Sequence, residues 1–230
     1  MAQLKAGAKL KLGVLISGRG SNLQALIDAT ADPSFPAEIA LVISNRADAG
    51  GLARAEAAGI ATKVIPHKEF PSREAFDAAL DGALRQAGVG LVCLAGFMRL
   101  LTAGFAEGWH DRLINIHPSL LPSFKGLDSH AQALKAGVRF SGCTVHFVRP
   151  EMDAGPIIVQ AAVPVHDGDD EDRLAARILA AEHKCYRLAV RLIAEGRISV
   201  VEEMVRVAEG EFAGVAVLNP AGYSAADCRD

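Results

Sequence analysis

No long apolar run exists in the 230-residue chain. Its longest stretch without Asp, Glu, Lys or Arg is Phe212 to Ala226, 15 residues that include Gly214, Pro220 and Gly222. A membrane helix needs roughly 18 to 20 apolar residues, so no engagement with a membrane is expected. Lys5, Lys9 and Lys11 are followed only by Val14 to Ile16 before Ser-Gly-Arg-Gly, too short for a secretory signal. A cytoplasmic protein is therefore expected. An excess of one charge is also missing: 24 basic residues face 27 acidic ones. That balance argues against a nucleic-acid partner and for a small substrate. The four cysteines, Cys93, Cys143, Cys185 and Cys228, form no C-x-x-C pair, and reduced thiols are expected. Repeats and low-complexity linkers are lacking as well, and with 50% hydrophobic and 22% charged residues the chain reads as one domain spanning residues 1 to 230.

What is present is an alternation of strand and helix. Buried strands are expected at Leu10 to Ser17, Glu38 to Ser44, Thr62 to Ile65, Val89 to Leu94 and Leu113 to His117. Helices are expected from Ser21, with Ser21 and Gln24 forming a capping box, and at Gly51 to Ala58, Ser72 to Ala87 and Thr102 to Trp109. Gly59 and Gly88 stand where helix C-caps belong. This order, with continuously apolar strands, predicts an α/β fold: a mainly parallel twisted sheet with helices on both faces. The second half changes style. A short helix at Ser129 to Ala136 precedes two strands, Ser141 to Val148 and Ile157 to Val165, whose short connection predicts an antiparallel pair. The acidic run Asp167 to Asp172 then leads into a long helix, Asp170 to Glu195, with a core stripe at Leu174, Ile178, Ala181, Cys185, Leu188 and Leu192. Two further strands fit the tail after Arg197, and Asn219-Pro220-Ala221-Gly222 signals a turn.

Three motifs carry possible chemistry. Ser17-Gly18-Arg19-Gly20-Ser21-Asn22 joins the first strand to the first helix, where backbone N–H groups and the helix dipole can hold a phosphate. Leu23 breaks the G-x-G-x-x-G spacing, and the second strand ends in Ser44-Asn45-Arg46 without the ribose-binding acid, which disfavours a dinucleotide. A plain tight turn fits the glycines equally well. Asn115 and His117 share one face of a strand end by the period of two, although a single histidine there is more often structural. Asp153 lies in a loop rimmed by Pro150, Gly155 and Pro156, a setting that an Asx turn alone would explain. Position ties the three together, because ligands of open α/β sheets bind outside the carboxyl ends of the strands. G-x-S-x-G is absent, so a covalent serine nucleophile is not signalled. Direct acyl transfer to an amine needs an oxyanion donor and a proton for the leaving nitrogen, which Asn115 and His117 supply if Asp153 holds the imidazole protonated and oriented.

The strings VLISGRGSNLQALID, LAGFMRLL, INIHPSLLPSFKGLDSHAQAL and GCTVHFVRPEMDAGPII resemble the phosphoribosylglycinamide formyltransferases, enzymes of purine synthesis that use 10-formyltetrahydrofolate. The likeness runs from about Lys11 to Glu195 and implies a Rossmann-like formyltransferase fold. It implies a phosphate- and ribonucleotide-binding half at about 11–110 and a catalytic and folate-binding half at about 111–218; the ends at 1–10 and 219–230 lie outside the likeness and are expected to be flexible. It further implies that Asn115, His117 and Asp153 are catalytic, supported by Thr144. Gly20, Ser21, Asn22 and Glu182 would hold the ribonucleotide; without the resemblance, Glu182 reads as an exposed helix residue. Arg73, Met98, Arg99, Leu100, Leu101, Asn115, Arg149, Pro150, Glu151, Met152 and Asp153 would line the folate pocket, and Arg73 could equally be a surface residue of its helix. The formyl folate would be a co-substrate and no metal is implied. The chain would act as a monomer or homodimer. Residues 124–130 receive no role. Rival readings are a formyltetrahydrofolate deformylase, a methionyl-tRNA formyltransferase, a non-catalytic nucleotide-binding module, and a zinc hydrolase using His117, His146 and Asp153, the last lacking any H-E-x-x-H pair.

Overall fold

In the first strand, β1 (Leu10–Ile16), Leu12, Val14 and Ile16 sink into one apolar cluster and Leu15 into another. A strand buried on both faces must be covered by helices on both, and the rest of the chain supplies them. The computed structural model describes residues 8–208 and Asn219. After β1 come α1 (Ser21–Thr30), β2 (Ala37–Ser44), α2 (Gly50–Ala57), β3 (Thr62–Val64), a single 3₁₀ turn (His67–Glu69), α3 (Arg73–Gln86), β4 (Leu91–Leu94), α4 (Ala103–Gly108) and β5 (Leu113–His117). Then follow α5 (Ser129–Ala136), β6 (Phe140–Phe147), β7 (Ile157–Pro164), α6 (Glu171–Ala194), β8 (Ile198–Val201) and β9 (Met204–Val207). The ends at 1–7 and 220–230, most of the turn at 219–222 and Cys228 lie outside the described residues; Cys93, Cys143 and Cys185 are buried and unbridged.

One seven-stranded sheet, ordered β3-β2-β1-β4-β5-β6-β7, runs through both halves of the chain. Its first five strands are parallel, while β6 is antiparallel to β5 and β7 antiparallel to β6. The order reverses between β1 and β4, and the loops leaving these two strands open the crevice that such a reversal creates. One cluster packs α1, α2 and α6 on one face, and the other packs α3 and α4 on the opposite face. The strands β8 and β9 form a separate antiparallel hairpin.

Boundaries match the sequence reading to within two residues, and Gly59 (φ 69°) and Gly88 (φ 68°) take the left-handed conformation expected after helices. Asp170 caps α6 by accepting the Arg173 N–H at 2.8 Å, with Glu171 and Asp172 in the first turn. Two expectations fail. Leu188 is 46% exposed, and the buried side of that part of α6 is formed by Cys185, Tyr186, Ala189, Val190, Leu192 and Ile193. The stripe's five steps span 18 residues, an average of 3.6, so it stays in phase with the helix; the buried arc is wide and centred to one side of it, which leaves Leu188 at the edge. The same arc takes in Tyr186, whose hydroxyl donates to the Leu94 carbonyl at 2.8 Å. The capping box at Ser21 is also absent, for reasons that belong to the site.

Candidate functional site

The loop after β1 is shaped by Gly20. Its φ is +73°, and a Cβ there would stand 2.6 Å from the Gly51 Cα, so only glycine fits. Gly20, rather than Ser21, is the N-cap, and no side chain caps α1. Ser21 is already the first helical residue, and the Gln24 side chain that would complete the box instead donates to Asp28 and accepts from Arg54. The first amides of α1 are thereby free of side-chain partners, the arrangement an anion requires. Asn22 is buried and donates through Nδ2 to Glu182 Oε2 at 2.7 Å, while its Oδ1 has no partner. Glu182 is 6% exposed, which replaces the expectation of a solvated helix residue. Burial pushes its carboxyl above the usual carboxylate range, and the Asn22 bond partly opposes this. Gly20, Ser21, Asn22 and Glu182 are therefore brought together from opposite ends of the sequence.

Along β5 the period of two places Leu113 against α3 and α4 and Ile114 and Ile116 on the other face. Asn115 and His117 follow Leu113. Each is paired across to β6, Asn115 with His146 and His117 with Thr144. His117 is buried between two acceptors: Nε2 lies 3.0 Å from the Phe124 carbonyl and Nδ1 lies 3.5 Å from Asp153 Oδ1. Neither the carbonyl nor the carboxylate can donate, so the ring can meet either only as a donor. The other oxygen of Asp153 accepts the Gly126 N–H at 2.7 Å. His146 is the opposite case. Its Nδ1 must carry the hydrogen given to the Phe147 carbonyl at 2.9 Å, so Nε2 is left to accept from Asn115 Nδ2 at 3.4 Å. Burial lowers the pKa of His146, favouring this neutral form. Thr144 is fully buried, donates to the Ser119 carbonyl at 2.7 Å and accepts the Leu121 N–H at 3.0 Å, which ties down the loop beyond His117.

The expected folate-lining residues fall into groups. Met98 and Leu100 are exposed beyond the end of β4, and Leu101 is half-buried. Arg73, Arg99 and Leu100 share a cavity of about 200 Å³ with His67, Phe70, Ser72 and Phe76. Pro150, Glu151 and Met152 form an exposed turn before Asp153. Arg149 differs: its guanidinium is held by Asp111 at 2.8 Å and by Glu203 of the β8–β9 turn at 2.7 Å, so only its backbone is open to the rim. Among the described residues no group of three or more His, Cys, Asp and Glu is placed to hold a metal ion.

Comparison with known proteins places the chain in a family. The formyl transferase family profile matches residues 10–190. The chain belongs to the formyl transferase family. Within that family, the phosphoribosylglycinamide formyltransferase of Escherichia coli (strain K12) is 45% identical over 94% of this chain and 99% of its own length. The trifunctional purine biosynthetic protein adenosine-3 of Gallus gallus is 53% identical over 84% of this chain, which spans only 19% of that relative's length. A crystal structure of glycinamide ribonucleotide transformylase 1 from Symbiobacterium toebii superposes with a TM-score of 0.86 at 49% identity, covering 90% of this chain and 99% of that one.

The site also contains groups that carry no signal in the sequence. The Phe124 carbonyl and the Gly126 amide touch His117 and Asp153 from a segment that received no role. Backbone groups are common to every residue, so no sequence signal marks them; the left-handed φ of Gly126 (79°) is the one feature a glycine could have suggested. His146, offered by the sequence only as a zinc ligand, is set beside Asn115 by the antiparallel pairing of β5 with β6, which only the structure shows.

Proposed function

We propose that the protein transfers the formyl group of 10-formyltetrahydrofolate to the primary amine of glycinamide ribonucleotide, without a metal and without a covalent enzyme intermediate. It would act in the cytoplasm, as a monomer or homodimer and as a single domain, on small molecules and on neither nucleic acid nor membrane. No helix among the described residues is long and apolar enough to cross a membrane, and the ribonucleotide transformylase and formyltransferase names of the relatives support the choice of substrates.

One observation carries the chemistry: the His117 ring lies between two acceptors, the Phe124 carbonyl and the Asp153 carboxylate, at the strand end that also presents Asn115. In this reading the substrate amine attacks the formyl carbon and a tetrahedral species forms. The Asn115 amide and the protonated His117 ring donate to its oxyanion. The carbon–nitrogen bond to the folate then breaks, His117 delivers a proton to the folate nitrogen directly or through water, and the proton lost by the amine returns to the ring. Asp153 keeps the ring charged and oriented, and Thr144 supports the loop beyond it. Removing one such oxyanion donor typically costs roughly 10² to 10³ in rate.

The free amides at Gly20 to Asn22 would take the ribonucleotide phosphate, and Glu182 would accept from its ribose diol. Arg73, the segment Met98–Leu101 with Arg99 and Leu100 inside it, and the backbone of Arg149 to Asp153 would line the folate pocket. The test follows folate product by absorbance, with and without glycinamide ribonucleotide. Product is expected only with the ribonucleotide, and His117→Ala should nearly abolish it. Equal formate release without the ribonucleotide would make the protein a deformylase, and binding without turnover would make it a nucleotide-binding module.

A further inference from the structure

Two polar residues buried at the strand ends have no part in that chemistry. Ser17 closes β1 and is 6% exposed; Asn45 follows β2 and is 4% exposed. Ser17 stands where the phosphate loop and the Met98–Leu101 wall meet, and it binds the segment leading into that wall twice. Its backbone N–H donates to the Gly96 carbonyl at 3.2 Å, and its Oγ accepts the Met98 N–H at 2.8 Å. A backbone amide can only donate, so the single hydroxyl proton of Ser17 is left for Asn45 Oδ1, 2.6 Å away. That fixes the Asn45 amide, whose Nδ2 then donates to His67 Nδ1 at 3.1 Å. His67 is in turn a wall of the cavity shared with Arg73 and Arg99. The donors thus run one way, from Met98 through Ser17 and Asn45 to His67, and bonds in such a chain strengthen one another.

Met98 and Leu100 are among the most exposed large apolar side chains of the described residues, and no strand continues through them. At the far end of the wall the Thr102 N–H is held by Asp77 Oδ2 at 2.7 Å. Between these anchors Leu101 packs against the second apolar cluster, while Met98, Arg99 and Leu100 are exposed.

We propose that Ser17 and Asn45 are positioning residues that lock the folate wall to the phosphate loop, so that both substrates are presented by one rigid unit. The inference rests on the functional reading above and goes beyond it, because neither residue touches a reacting atom. Removing the Ser17 hydroxyl strips the Met98 amide of its acceptor. Removing the Asn45 amide frees the hydroxyl to rotate and lets the same contact loosen from a distance.

The experiment measures amide hydrogen exchange by NMR in Ser17→Ala, Asn45→Ala and Ser17→Thr, with Thr102 as the internal reference. Exchange at Met98 should quicken about tenfold in both alanine variants, the size expected for losing one buried hydrogen bond, while Thr102 stays within about twofold. The KM for formyl folate should rise about tenfold with a smaller change in kcat, the pattern of lost positioning in the ground state. Ser17→Thr keeps the hydroxyl and should recover both readouts. Unchanged Met98 exchange in Asn45→Ala overturns the relay, as does equal quickening at Met98 and Thr102, which would signal general loosening. The exchange measurement needs no substrate. A wild-type protein without turnover would therefore sink the formyl-transfer reading alone, and the relay would stand or fall on exchange.

Discussion

Asp153→Asn replaces one oxygen by an amide nitrogen and leaves the volume unchanged. Asp153 has φ 47°, a left-handed conformation that asparagine tolerates better than most residues, so the backbone should hold. The Gly126 N–H, 2.7 Å from Oδ2, is a fixed donor and obliges the new amide to turn its oxygen that way. The amide nitrogen is then forced toward His117 Nδ1, which lies 3.5 Å from Oδ1. Two N–H groups cannot share that space, so Nδ1 must give up its hydrogen, while Nε2 keeps the one it offers to Phe124. Nδ1 can then offer no hydrogen on that side, and the acid proposed for the reaction is lost. Acid–base help of this kind is worth about 10² to 10⁴ in rate, and at 1.36 kcal/mol per factor of ten that is about 2.7 to 5.4 kcal/mol. Steady-state assays should show kcat falling by that factor with both KM values within a few-fold. The circular dichroism melting temperature should move by no more than about 5 °C, because every hydrogen-bonding atom keeps a partner. Asp153→Ala is the contrast: it leaves the Gly126 amide without its acceptor and puts alanine at a left-handed position, so about 1 to 3 kcal/mol of stability should go as well. A folded Asp153→Asn protein turning over within about threefold of wild type would refute the assignment of the acid.

Glu182→Gln should stabilise the fold at neutral pH while raising the KM for the ribonucleotide. The folded protein holds the Glu182 proton to a higher pH than the usual 4.5, mainly through burial, so the wild type loses stability as pH rises through that interval. Melting temperatures of the two proteins should differ at pH 7 and converge below pH 4.5; a gap that is constant with pH would contradict this. Thr144→Val should cost about 1 to 3 kcal/mol for each partner it strands, Leu121 N–H at 3.0 Å and Gln160 Nε2 at 3.0 Å among them, whereas Thr144→Ser keeps the hydroxyl and most of the stability. Urea unfolding of the two variants decides the point, and equal midpoints would remove the hydroxyl's role.

The order of strands and helices is legible in the residues alone, because continuous apolar runs such as Val89 to Leu94 can be satisfied only inside a covered sheet, and residues such as Gly88 and Asp170 mark where helices end and begin. The residues also place Asn115 beside His117, since the period of two is a property of any strand. What surrounds them depends on how the chain packs. The 160 positions between Asn22 and Glu182 hold no pattern that would pair an amide with a carboxylate, and their meeting follows from α1 packing on α6. The capping box failed for a similar reason: Gly20 met Gly51 at a distance no side chain allows, which moved the start of the helix. His117 and Asp153 found their remaining partners in the backbone of Phe124 and Gly126. A carbonyl or an amide is the same group at every position in the chain, so its role is set by where the fold brings it and is written in no side chain.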